Sequence, residues 1–344
     1  MTPIRIDSLP NPKLISELIK TWKEYKDSGA SSHWKKYGLQ SEIEIEDNVI
    51  ETLHGVGFGD CHGRYSFSKW FHFVTILSYL VMIPHRSRVF SWMICARKLL
   101  RPLSDLDIFF SYDVFRQCCI ASILEPYIVK WKNPKILLVG DGYGVLAGLL
   151  KSRFRKSQAF LVDIFPALFF QAIVLGKCFP DLKHGFEEFY KFKEEGSDDQ
   201  PGTMDFTYCH GEDLTYLNQQ TFDLVINVAS MQEMNRDIVN RYFRFIRSHL
   251  SDEGLFYCCN REEKILPDGE VLRFQEYPWH HMDKPLLDGE PPFFKHYFSH
   301  RRTVQPLKVG GISVPFGRLF DGTIRHRLTR LSRVGTQDSN KKGS

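Results

Sequence analysis

Little in this sequence is extreme, and what it lacks narrows the reading first. The 344 residues carry a net charge of only +4 with 25% charged residues, so the overall electrostatics demand neither a nucleic acid nor an acidic partner. No apolar run follows a positive segment within Met1–Pro10; no secretory signal is read there, and the cytoplasm is the expected compartment. The longest apolar stretch, Trp70 to Ile83, contains His72 and stops at Pro84. It falls short of the about 20 residues that span a bilayer, which leaves a buried helix or, beside Arg86 and Arg88, an interfacial one. None of the eight cysteines forms Cys-x-x-Cys, and Cys118-Cys119 and Cys258-Cys259 are adjacent in apolar surroundings. Neighbours on a strand face opposite sides and cannot easily share one metal, so reduced core cysteines are expected rather than zinc. No internal repeat or low-complexity tract is present.

What remains is material for a packed core, 43% hydrophobic and 14% aromatic. Residues 1–130 read as mainly helical, a cap or an element for substrate binding or oligomerisation. Leu14, Leu18, Ile19, Trp22 and Tyr25 recur at helical spacing, and helices resume at Phe67–Ile83 and Arg88–Leu100. Ser104-x-x-Asp107 reads as a capping box opening a helix through Ile123. The loop Gly55 to Arg64, with Asp60 and His62, fits a lid or a plain connector.

After Asn133-Pro134 the texture becomes α/β, and residues 131–300 form the second unit. Strands are expected at Lys135–Val139, Gln158–Asp163, Met204–Cys209, Phe222–Val228 and Gly254–Asn260, with helices at Val145–Phe154, Pro166–Cys178 and Arg236–Leu250. The polar run between Asp181 and Gly202 reads as a surface insertion. Residues 301–344 form a basic segment whose end is expected to be disordered. From His300 onward ten Lys or Arg face only Asp321 and Asp338, which suits a solvated tail, a polyanion or a lipid headgroup.

Lys135–Val139 runs into Gly140-Asp141-Gly142-Tyr143-Gly144 and then a helix, the strand, glycine turn and helix start of a nucleotide site. Glycine there permits positive φ and close approach of the backbone to a ligand. Asp163 closes the second strand, where a carboxylate accepts hydrogen bonds from ribose hydroxyls. Counting from Gly140, Val145 occupies the third glycine position of a nicotinamide fingerprint; counting from Gly142 gives G-x-G-x-x-A with Ala147, so an oxidoreductase reading survives.

Downstream, Gly211-Glu212-Asp213-Leu214 after the third strand, Phe222–Asn227 as the fourth and Gly254–Tyr257 as the fifth resemble the ordered segments of class I methyltransferases. Gly140-x-Gly142-Tyr143-Gly144-x-Leu146-Ala147, Asn227-Val-Ala-Ser230-Met-Gln-Glu233-Met234, Tyr257-x-x-Asn260-Arg261 and Glu276-Tyr277-Pro278-Trp279 narrow this further. Together they resemble the sugar O-methyltransferase family associated with bacterial surface polysaccharides, over roughly residues 130 to 300. The resemblance implies a Rossmann-like sheet with helices on both faces. It also implies S-adenosyl-L-methionine as cofactor and a sugar or glycan hydroxyl as acceptor, compatible with peripheral contact to a membrane-linked glycan. The cofactor residues expected on this basis are Gly140, Asp141, Gly142, Tyr143, Gly144, Asp163, Asp213 and Asn227. Leu138 departs from the family's acidic residue, and Asp141 and Val145 from its glycines. The acid ordinarily supports the methionine end, so Asp141 becomes its substitute, or the fold is a non-catalytic binding module.

A sugar hydroxyl is a poor nucleophile at neutral pH, so a base is expected. Glu233 lies just beyond the fourth strand, and His280 and His281 follow Trp279 in a loop able to close over an acceptor. No metal site is expected, because Asp60, His62, Glu233 and His280 are too scattered for spacing to argue one.

Overall fold

The computed structural model describes residues 4–24, 31–37, 42–46, 48–54, 66–106, 108–186, 204–212, 214–300 and 305–333. The Gly55–Arg64 loop with Asp60 and His62, most of the polar insertion, Asp107, Asp213 and the stretch from 334 onward lie outside them.

The strand before the glycine turn, Lys135–Val139 (β1), is apolar and buried from Ile136 onward, as a central parallel strand requires. It is followed by Gln158–Asp163 (β2), His184–Phe186 (β3), Phe206–His210 (β4), Phe222–Val228 (β5), Leu250–Arg261 (β6), Lys284–Gly289 (β7) and Ile324–Arg330 (β8). These eight form one sheet in the order β7-β8-β6-β5-β1-β2-β4-β3. The strands from β6 to β3 run parallel, and β8 is antiparallel to both β6 and β7. The chain winds outward in both directions from β1, so a crevice opens beyond the carboxyl ends of β1, β2 and β5, where open α/β sheets take ligands.

The helices are Pro12–Glu24 (α1), Ser32–Tyr37 (α2), Ser66–Met82 (α3), Arg86–Leu99 (α4), Tyr112–Ile128 (α5), Val145–Arg153 (α6), Phe165–Cys178 (α7) and Arg236–His249 (α8). Side-chain alternation divides them between the two faces. Ile136, Leu138, Leu161, Leu224 and Tyr257 join the core shared with α4 to α7, whereas Leu137, Phe160, Val162, Val225 and Phe256 join the core under α8. Cys259 and Cys258 divide the same way, one into each core. The sheet is the expected Rossmann-like sheet with helices on both faces.

Four elements differ from the sequence reading. His184–Phe186, in the run read as a surface insertion, is a sheet strand with Phe186 buried. Helix α5 begins at Tyr112 and not at Ser104: Ser111 Oγ accepts from the Val114 amide at 3.2 Å and caps it, while Arg101–Leu106 is a 3-10 turn. Near the amino end, Glu42–Glu46 and Val49–His54 pair antiparallel, with Ile4–Arg5 on the far side of the second. Within the basic segment, β8 runs in the main sheet with Leu328 and Thr329 fully buried. Its cations are held by partners: Arg327 pairs with Asp288 at 2.6 Å and lies 4.5 Å from the Trp279 ring.

Candidate active site

Gly140, Gly142 and Gly144 all take positive φ, at 75°, 59° and 76°, so the turn reverses within five residues of β1. At Gly140 the need is also spatial, because a Cβ would lie 2.2 Å from Ser230 Oγ. Gly144 starts α6 without a capping side chain. Asp141 supplies the cap: its carboxylate accepts from the Ala147 amide at 2.8 Å and the Leu146 amide at 3.3 Å.

Asp163 ends β2 beside this turn and accepts from the amides of Ile164 at 2.9 Å and Gly142 at 3.3 Å, and from Gln171 Nε2 at 2.8 Å. Burial pushes its carboxyl up to about 7 against these donors. Burial likewise pushes Asp141 up to about 8, with Asp163 and Asp113 adding to the rise. Glu233, in the turn after β5, is raised to about 8 by burial, with Asp163 adding and Lys264 and Arg261 opposing.

These groups line one cleft at the carboxyl edge of the sheet. Its floor is Gly140, Gly142 and Asp163; Ile164, Val228, Met234 and Ile238 give apolar walls. Gly211 and Glu212 after β4 close one side, where Tyr242 hydroxyl donates to the Gly211 carbonyl at 3.1 Å. The other side comes from the front of the chain: Ser31, then Asp113, Arg116 and Gln117 on α5, with Phe294. Arg116 pairs with Asp113 and lies 4.5 Å from the Phe294 ring. These front residues were not anticipated, because contact between distant segments leaves no local pattern.

Not every expected residue reaches the cleft. Tyr143 is buried edge-on against Phe170 and points into the core. Asn227 is fully buried and ties three strands together: its Nδ2 donates to the Val139 carbonyl at 2.9 Å, and its Oδ1 accepts from Asn260 Nδ2 at 2.7 Å. Asn260 Oδ1 then accepts from the Gln232 amide, and Gln232 Oε1 from the Arg261 amide. The Asn227, Gln232 and Asn260 motif positions thus hold the turn that presents Glu233. Asp213 lies outside the described residues. Leu138 faces the core, and carboxylates from Asp113 and Asp141 border the cleft instead.

His280 and His281 require correction. Asp283, in the same turn, accepts from the His280 amide at 2.8 Å and is bound bidentately by Arg247 at 2.7 and 2.8 Å. Arg247 is in the last turn of α8, which returns to the amino end of β6. The turn is therefore fixed at the sheet edge opposite the cleft, and neither histidine borders it. The imidazole that does approach Glu233 is His33 of α2, at 3.6 Å. Burial, with the Lys264 charge, lowers His33 to about 4 while burial raises Glu233 to about 8, both shifts opposing an ion pair between them.

No protein-family model matches the chain. No curated protein matches it either. Among solved structures it is similar to a TehB-like SAM-dependent methyltransferase from Corynebacterium glutamicum, 13% identical, covering 60% of this chain and 85% of that one with a TM-score of 0.35. It is also similar to an S-adenosylmethionine-dependent methyltransferase from Clostridium acetobutylicum, 16% identical over 61% and 89% of the two chains, TM-score 0.32. TehB from Haemophilus influenzae is 13% identical over 61% of this chain and 62% of its own, TM-score 0.34.

Proposed function

We propose that the chain binds S-adenosylmethionine in this cleft and transfers its methyl group to an oxygen of a sugar-containing acceptor. The observation that carries the reading is the Asp141 carboxylate on the amides of Leu146 and Ala147. In dinucleotide-binding folds the first helix's amino end receives the pyrophosphate. Here the chain's own acid occupies those amides. The cleft also brings Asp163 and Glu233 together with Asp141, and burial raises all three. Such a site disfavours a dianionic bridge and suits a ligand carrying positive charge.

The groups present fit this cofactor. In this reading Asp163 would accept the ribose hydroxyls, Ile164 and Ile238 would flank the adenine, and Asp113 and Asp141 would face the ammonium end; all five line the cleft. When bound, S-adenosylmethionine supplies a methyl group on a sulfonium centre that is already a good leaving group. The protein's tasks are then to align the acceptor oxygen, exclude water and take up the hydroxyl proton. Glu233 is assigned the last: its carboxylate would receive the acceptor's hydroxyl proton, while the carbon–sulfur bond of the cofactor would break as the carbon–oxygen bond forms. The sugar acceptor rests on the sequence resemblance and on the polar, arginine-bearing side formed by α5.

Calorimetric titration tests the reading. S-Adenosylhomocysteine should bind, NAD should not, and Asp163→Ala should remove the binding. NAD binding without adenosylhomocysteine binding would return the oxidoreductase reading. Adenosylhomocysteine binding with no methyl transferred to glycan extracts from labelled donor would leave a non-catalytic module.

A further inference from the structure

Helix α3 is apolar nearly all round, which ordinarily means burial on every side. Here only part of it is covered. Phe71, Thr75 and Tyr79 face inward: Thr75 Oγ1 accepts from the Phe298 amide at 2.9 Å, and Tyr79 hydroxyl donates to the His296 carbonyl at 2.7 Å. The opposite side carries Trp70, Phe73, Leu77 and Val81, exposed to 59, 54, 52 and 69%. Their spacing of three, four and four makes one continuous stripe. Phe90 and Ile94 on α4 are exposed as well. So are Val309, Ile312 and Phe316 of the Pro306–Leu319 hairpin, and Phe316 contacts Phe71 with ring centres 5.5 Å apart. An apolar surface this extended marks an interaction site.

The charge around it selects the occupant. No Asp or Glu occurs in the sequence from Cys61 to Ser104 or from Pro291 to Phe320, the stretches that contain α3, α4 and the hairpin. Lys69, Arg86, Arg97, Lys98 and Lys308 are exposed within them. Two copies of this face would oppose the same cations, which disfavours self-pairing. No helix of the described residues is long and apolar enough to cross a membrane. An apolar stripe with Trp and Phe, carried on segments that bring exposed cations and no acid of their own, has the chemistry of a surface that lies in an anionic lipid interface.

We infer that the face formed by α3, α4 and the Pro306–Leu319 hairpin docks on an anionic lipid bilayer, inserting the Trp70, Phe73, Leu77 and Val81 stripe. The helix also adjoins the cleft: His72 Nδ1 accepts from the Tyr112 amide at 3.1 Å, and Tyr112 precedes the cleft-lining Asp113. Docking would therefore hold the active site next to acceptors in the bilayer, but the docking itself does not depend on methyl transfer.

Flotation of the full chain with vesicles tests this directly, using phosphatidylcholine alone and phosphatidylcholine mixed with phosphatidylglycerol. The protein should float with the mixed vesicles and much less with the neutral ones. Phe73→Ser with Leu77→Ser should weaken that binding by about tenfold or more, and Lys69→Glu with Lys98→Glu should weaken it too. Far-ultraviolet circular dichroism and the melting temperature should be nearly unchanged in both variants, since all four side chains are exposed. Three results would each overturn the inference: no binding to mixed vesicles, binding indifferent to Phe73→Ser with Leu77→Ser, or a dimer in sedimentation that this double variant converts to monomer.

Discussion

The Asp141 carboxylate accepts the Ala147 amide at 2.8 Å, capping α6 from outside the helix. A side chain in that role should behave as an N-cap. At a pH of about 6, where burial keeps this carboxyl uncharged, Asp141→Ala should cost about 1 kcal/mol. Asp141→Asn, which keeps a carbonyl oxygen for the amides, should cost less. Equal losses in thermal denaturation would assign the stability to something other than the cap.

The raised carboxyls of Asp141, Asp163 and Glu233 give stability a pH dependence of known sign. A folded-state value above the unfolded one means that the folded chain holds its protons more tightly. The stabilisation is thus complete below the ordinary carboxylate range and is lost as pH rises through about 7 for Asp163 and about 8 for Asp141 and Glu233. The ligand-free protein should melt at progressively lower temperature across that window. S-Adenosylmethionine should bind more tightly over the same window, because ionised acids attract its sulfonium, while adenosylhomocysteine should gain less. Parallel titrations of the two ligands at several pH values check this, and identical slopes would remove the acids from the sulfonium's surroundings.

The parts of the site legible in the sequence are those in which one local rule decides. The apolar run of β1, the positive-φ glycines and Asp163 at the end of β2 follow from strand and turn chemistry read over a few residues. The misreadings have equally definite causes. Ser104 has the spacing of a cap, but Arg101–Leu106 buries Leu103 and Leu106 as a 3-10 turn and the helix is capped by Ser111 instead. In β8, Arg325 and Arg327 gave the strand the texture of a tail because their partner, Asp288, is on another strand. The His280 turn was misassigned because the Arg247 to Asp283 pair that fixes it joins distant segments. Asp113 and Arg116 were missed for the same reason.

Gly140 offers a test of the crowded turn itself. Gly140→Ala should lower the melting temperature by several degrees, since it places a methyl 2.2 Å from Ser230 Oγ at a φ of 75°. Ser230→Gly in the same chain should restore part of the loss by clearing the hydroxymethyl group, with the φ penalty remaining. A double-mutant cycle measures the coupling. Strict additivity would mean that the close approach of the two residues does not determine the cost.

Glu233 is the remaining candidate base once His280 and His281 are placed on the far edge of the sheet. Glu233→Gln keeps the shape and hydrogen-bonding reach of the side chain but cannot take a proton. It should lower kcat by about 100-fold to 10,000-fold, the range for a general base, while leaving the affinity for adenosylhomocysteine within about twofold. In the wild type, kcat should rise with pH through about 8 as the carboxyl ionises, and the rise should vanish in the variant. Alanine at His280 and His281 should leave kcat unchanged. A normal turnover number in Glu233→Gln would eliminate proton transfer to this carboxylate and leave it as one of the acids that set the charge of the cleft.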